Sequence, residues 1–164
     1  MDTRIFVVLL CSAFSHITPA STIASCDPGE IVVFECVLEK SQKTLSICAS
    51  KDGKSAQYKF SNHKTTELRV GFSAASPVFR WINSDTYVTF FGFINDKHTY
   101  LVGISQETLN AKSFLMVQKS HLPQDLNAIR FCTTNSFGHK KWSSDAIRDV
   151  GKKILSEDYI FKPY

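Results

Sequence analysis

Apolar and β-branched runs recur about every 10–13 residues from residue 31 onward, with short polar breaks between them. The pattern predicts strands over 31–39, 43–50, 55–61, 65–72, 78–82, 86–94, 98–105, 113–119 and 129–134. The breaks carry turn chemistry. Lys51-Asp52-Gly53-Lys54 contains the Asp-Gly pair of a type I′ hairpin, and Asn83-Ser84-Asp85 and Asn95-Asp96-Lys97 are short polar turns. No helical stretch alternates with these strands, which argues against a parallel Rossmann-type sheet. The expected fold is mainly β: a single-domain antiparallel meander of eight or nine strands, closed as a sandwich or a small barrel. In 86–94, Tyr87, Phe91 and Phe93 share one face, and Val88, Phe90 and Ile94 the other. That predicts a strand covered on both sides, the alternative being one core face and an exposed aromatic patch.

The pattern changes near the C-terminus. Residues 120–128 read as a longer loop. Ser143, Ser144 and Asp145 are candidate N-caps, followed by apolar residues at Ala146, Ile147, Val150, Ile154 and Leu155, which predicts one C-terminal helix. Gly151 weakens that helix by about 1 kcal/mol relative to alanine. The final residues, 159–164, read as a packed tail or a short edge strand.

The first 24 residues stand apart. Arg4 is followed by the apolar run Ile5–Phe14 and then by small and polar residues, the layout of a secretory signal peptide too short to span a membrane. Residues 25–164 are then a single β-rich domain, periplasmic or secreted. Thr22-Ile23-Ala24-Ser25-Cys26 also fits a lipobox, which would make Cys26 a lipidated first residue. The apolar core ends far upstream at Phe14, which favours plain cleavage. No later run is long enough for a transmembrane segment.

Cysteine arithmetic agrees with export. Of 5 cysteines, Cys11 leaves with the leader. Cys26, Cys36, Cys48 and Cys132 remain, an even number that predicts two disulfides. Cys36 and Cys48 sit symmetrically about Gln42, so a hairpin turning at 41–43 would face them across the pair. The expected bonds are therefore Cys36–Cys48 and, as complement, Cys26–Cys132. That register places Phe34 and Leu38 on the same face as Ser46 and Ser50, with Leu45 and Ile47 opposite. A bulge would repair it, and a different pairing would remove its premise.

The same stretch carries a resemblance. Cys26, then Phe34 and Cys36, then Lys43, Ser46, Cys48, Ala49 and Ser50, then Tyr58 and Lys59, then Glu67 and Leu68 resemble a family of small, exported, uncharacterised bacterial proteins with an F-x-C, K-x-x-S-x-C-A-S, Y-R and E-L pattern. The match covers roughly 26–68, with a late cysteine corresponding to Cys132. Lys59 stands where the pattern has arginine, Ser61 where it has a turn glycine, and Val70 where a proline often follows E-L. The resemblance implies export and a disulfide-bonded β-rich domain, and no catalytic activity.

Chemistry offers little. No nucleophile elbow, H-E-x-x-H or P-loop occurs. No C-x-x-C suggests a zinc ribbon or a thioredoxin-like site. His63, His98, His121 and His139 are widely spaced. Two disulfides would leave no thiol for a Cys–His nucleophile. No cofactor or metal is expected, and no enzyme activity. The net charge of +4 permits attraction to an anionic surface without demanding it. Only His139-Lys140-Lys141-Trp142 joins basic and aromatic residues, too little for a nucleic-acid platform. The expectation is a non-catalytic exported binding protein with a protein partner, in its concrete form an inhibitor or immunity protein against a cell-wall-degrading enzyme. The alternatives are a structural envelope domain and, behind it, a hydrolase. The loop 71–80 is the candidate partner-binding surface, with Ser73 and Ser76 small enough to enter a cleft and Arg80 able to pair with a carboxylate.

Overall fold

The computed structural model describes residues 25–62, 64–105, 110–120, 122, 128–133, 138–150 and 161. Among these residues ten strands form: β1 (Ile31–Val37), β2 (Thr44–Ala49), β3 (Ser55–Ser61), β4 (Thr66–Ser73), β5 (Val78–Ile82), β6 (Thr89–Asn95), β7 (His98–Ile104), β8 (Phe114–Lys119), β9 (Arg130–Phe131) and β10 (Ile147–Asp149). They make two open sheets, one of four strands ordered β1-β2-β3-β4 and one of six ordered β10-β5-β6-β7-β8-β9. The pairs are antiparallel except β10–β5, which is parallel. The architecture is a sandwich and not a closed barrel.

The main core lies between the sheets. Phe34, Leu45, Ile47, Tyr58 and Phe72 of the first sheet meet Phe91, Phe93, Val102 and Leu115 of the second. Aromatic edges lock the seam, with Tyr58 and Phe72 both against Phe93 at centroid distances of 4.9 and 5.1 Å. The six-stranded sheet is also covered on its far face, where Phe79, Trp81, Phe90, Leu101, Met116 and Phe161 form a second cluster. Trp81 stacks on Phe90 at 5.2 Å and on Phe161 at 5.8 Å. Glycine makes room for this layer: a Cβ on Gly103 would lie 2.2 Å from the Phe114 ring. Over Phe90–Phe93 the strand is buried on both sides, as its apolar content predicts, whereas Ile94 at its end is exposed.

Tyr87 departs from that expectation. β6 begins two residues later, and 83–88 close the β5–β6 connection through Tyr87 N to Asn83 O (2.7 Å) and Asn83 N to Val88 O (2.9 Å). The Asn83 carboxamide accepts the backbone N–H groups of Asp85 and Thr86, an Asx turn. Tyr87 ends up exposed, with φ 54°. At 50–54, only Gly53 of the Asp-Gly pair has positive φ, so the turn is not type I′. Asp52 instead accepts from Ser50 Oγ and Lys54 N.

The disulfide pairing is corrected. The bonds are Cys26–Cys48 and Cys36–Cys132. The β1–β2 hairpin turns earlier than cysteine symmetry suggests: Leu38 N donates to Lys43 O and Gln42 N to Leu38 O, and Cys36 lies opposite Leu45. A bulge between Val32 and Phe34 then places Val32, not Cys36, opposite Cys48. This register puts Phe34 and Cys36 on the core face with Leu45 and Ile47. Ser46 and Cys48 face outward, where the segment from Ser25 to Glu30 covers them. The bond to Cys48 occupies the Cys26 sulfur, so it and a lipid on that atom exclude one another.

The C-terminal helix is also corrected. Ser144 and Ala146 lie in a turn, and Ile147–Asp149 extend as β10 beside β5. Apolar Ile147 and Val150 straddle that strand, burying Ile147 in the main core and packing Val150 against the second. The remaining helix positions, 151 and 154–155, fall outside the described residues, as do the tail positions around Phe161. Among the described residues no helix is long and apolar enough to cross a membrane.

Candidate functional site

The chemistry concentrates where β5, β10 and the segment 138–145 converge. Arg80 projects from β5 and is nearly buried at 8% exposure. A buried guanidinium needs its donors satisfied. Its Nε and Nη2 donate to the two carboxylate oxygens of Asp149 at 2.5 and 2.6 Å. Its Nη1 donates to Lys140 O and Trp142 O at 2.8 and 2.9 Å. Arg80 therefore joins β5 to two neighbouring segments that lie 60 to 69 residues further along the chain. The parallel β5–β10 register, with Arg80 opposite Asp149, brings the bidentate pair into line.

The segment that Arg80 holds is fixed elsewhere as well. His139 N donates to Val32 O at 2.7 Å, at the β1 bulge. Gly138, at φ +135°, approaches that strand so closely that a Cβ would sit 2.7 Å from Val32 O. Downstream, Ser144 Oγ and Asp145 N both donate to Gly53 O. Residues 138–145 are thus bolted to both sheets.

Beside this segment lies a cleft of about 360 Å³ lined by Arg80, Trp81, Ile82, Thr89, Lys140, Lys141, Asp149 and Val150. It shares Ile82, Thr89, Lys140 and Lys141 with a shallower depression that adds Tyr87, Gly138 and His139. Ile82 and Tyr87 are 63% and 64% exposed, large apolar side chains together on one surface. Trp81 forms part of the cleft wall, and its buried Nε1–H has no hydrogen-bond partner among the described residues. Formal charge on the cleft lining is positive, from Arg80, Lys140 and Lys141 against Asp149. The combination suits a ligand that carries carboxylates or other acceptors next to an apolar group.

The loop singled out from sequence is smaller than expected. β4 runs to Ser73 and β5 starts at Val78, leaving 74–77 as the connection between sheets. Ser73 and Ser76 are exposed and exchange backbone hydrogen bonds at 3.1 Å. Arg80 is not with them on the surface, because its side chain is committed to Asp149 and the Lys140 and Trp142 carbonyls. Of His63, His98, His121 and His139, His98 opens β7 and His139 lies in the basic segment, whereas His63 and His121 fall outside the described residues. The run 139–142 is legible in the sequence as basic and aromatic, but no local pattern places Ile82 and Tyr87 beside it.

A second polar cluster covers the outer face of the four-stranded sheet. Lys59, 3% exposed, donates to Asp27 at 2.7 Å. Gln57 donates to Asp27 and Glu30, and Arg69 reaches Asp27 at 3.5 Å. The hydrogen bond from Lys59, and then that from Gln57, hold the Asp27 carboxyl below its ordinary pKa. The sulfurs of Cys26 and Cys48 lie close to the Glu30 carboxylate, but they are bonded to each other and Glu30 accepts from Asp27 N and Gln57. This cluster is a polar clasp on the N-terminal segment. Compared with protein-family models, curated proteins and solved structures, the chain matches none.

Proposed function

We propose that the protein is an exported, non-catalytic binding protein that holds an acidic protein partner against the surface formed by Ile82, Tyr87, Lys140 and Lys141. The observation that carries this reading is the clamping of the Lys140–Lys141 segment by Arg80, Gly138 and Ser144 beside two exposed apolar side chains. A surface fixed before binding loses little freedom on association. Tyrosine and isoleucine supply contact area, and the lysines supply attraction and orientation. Export is supported by the leader-like N-terminus and by the two disulfides, which suit an oxidising compartment.

In its concrete form the partner is a cell-wall-degrading enzyme. Glycoside hydrolases carry paired carboxylates in an open cleft, a feature that a rigid basic projection can block. The test is inhibition of lysozyme-type wall hydrolysis by the purified protein, repeated with a Lys140→Glu/Lys141→Glu variant and with Tyr87→Ala. Inhibition that weakens with salt and is lost in both variants is the expected result. Absence of inhibition by the wild-type protein removes the enzyme-inhibitor form. Inhibition that survives both variants moves the site elsewhere.

A further inference from the structure

The two outer strands of the four-stranded sheet are treated differently. The β1 edge is covered, with His139 N donating to Val32 O, Thr133 N to Val37 O and Glu39 N to Phe131 O. β4 pairs with β3 on one side. On its other side, no backbone group of residues 66–72 bonds to another described residue. An eight-residue strand with an open edge is a template for another strand.

The side chains of β4 specify which strand. Glu67, Arg69 and Gly71 are exposed on the outer face, and Leu68, Val70 and Phe72 point to the core side. A second copy placed antiparallel, with its core face on the same side, must pair by a two-fold axis through a single residue. An axis at Leu68 sets Glu67 against Arg69 of the other copy, twice, and Leu68 against itself. Moving the axis to Glu67 or to Arg69 opposes like charges. Only the Leu68 register gives two reciprocal ion pairs, and each joins an existing one, Lys43–Glu67 at one end and Arg69–Asp27 at the other. Gly71 leaves open space on the outer face, since a Cβ there meets nothing within 4 Å.

We infer that β4 is a self-association edge, joining two copies of the chain into one continuous eight-stranded sheet with Leu68 on the two-fold axis. The surface is separate from the cleft and does not depend on the function proposed above. Sedimentation equilibrium of the disulfide-bonded protein from micromolar to near-millimolar concentration should show reversible doubling of mass. Arg69→Glu and Glu67→Arg, each alone, should give monomers with unchanged circular dichroism. Mixing those two variants should restore a dimer, because every facing pair is then of opposite charge. The double variant Glu67→Arg/Arg69→Glu should dimerise by itself. A wild-type protein that stays monomeric across the range overturns the inference. So does a dimer that the single reversals leave intact, or single variants that fail to recombine on mixing.

Discussion

Two cations with almost no solvent exposure, Lys59 and Arg80, anchor opposite parts of the molecule, and each depends on one aspartate. Neither ion could remain charged in the interior without partners. For Arg80 the partners include two carbonyls, which lysine cannot satisfy with the same planar fork. Arg80→Met should cost about 3 kcal/mol in denaturant unfolding, because two backbone carbonyls lose their donor and a packed ion pair is broken. It should also loosen the 140–142 segment, seen as faster amide exchange there. The Asp27–Lys59 pair sets a pH dependence. The Asp27 pKa is lowered in the folded state, so its stabilisation is present above the unfolded value, about 4, and is lost as pH falls through the folded one. Thermal unfolding of the wild type should fall more steeply below about pH 4 than that of Asp27→Asn. At neutral pH, Asp27→Asn should be the less stable of the two by about 1–2 kcal/mol, a modest figure because the aspartate is half exposed. Equal acid slopes in the two proteins would remove Asp27 from the account.

At the scale of elements, the segment 138–145 shows how an irregular stretch becomes rigid. Gly138 sits at a backbone angle that side chains disfavour and within contact distance of the β1 carbonyls. Gly138→Ala should therefore cost about 2 kcal/mol or more in chemical denaturation and weaken partner binding at Lys140 and Lys141 while leaving their charges in place. The strands themselves were legible because apolar spacing of two leaves few alternatives, and the observed bounds of β3, β5 and β7 fall within a residue of those expected. What the pattern could not carry was register. Equal spacing of Cys36 and Cys48 about Gln42 suggested a turn at 41–43. The actual turn closes from Leu38 to Lys43, and the bulge beyond Val32 shifts the pairing again. The burial of Leu45 and Ile47 with Phe34 decides between the two, since the expected register would have put those side chains on opposite faces. Near the C-terminus, Ile147 and Val150 fit a helical stripe in isolation. They become a strand because β5 offers an open edge and Asp149 a bond to Arg80, neither of which is visible locally. The cleft was illegible for the same reason: Arg80 and Asp149 lie 69 residues apart, and Arg80 and Lys140 lie 60 apart.

At the scale of the whole molecule, the two disulfides perform different tasks, and their loss should have distinguishable effects. Cys36–Cys132 ties β1 of the first sheet to the residue just beyond β9 of the second, across 96 residues. Cys26–Cys48 ties the N-terminal segment to the outer face of the first sheet, across 22 residues. Closing the longer loop removes more freedom from the unfolded chain, about 4–5 kcal/mol against about 3 for the shorter one. Paired alanine substitution of Cys36 and Cys132 should thus be the more destabilising, removing from about a third to nearly all of the stability of an ordinary domain, which is about 5–15 kcal/mol. Removal of Cys26 and Cys48 should leave a folded sandwich in which the Ser25–Glu30 segment is less firmly held. Asp27 rides on that segment, so its contribution to the acid slope should shrink in the Cys26→Ala/Cys48→Ala protein and stay intact in any folded fraction of the other. Peptide mapping without reductant tests the premise directly, by recovering a fragment that links 26 to 48 and another that links 36 to 132. Fragments linking 36 to 48 would restore the symmetric hairpin and with it a different β1–β2 register, one that places Leu45 and Ile47 away from the core.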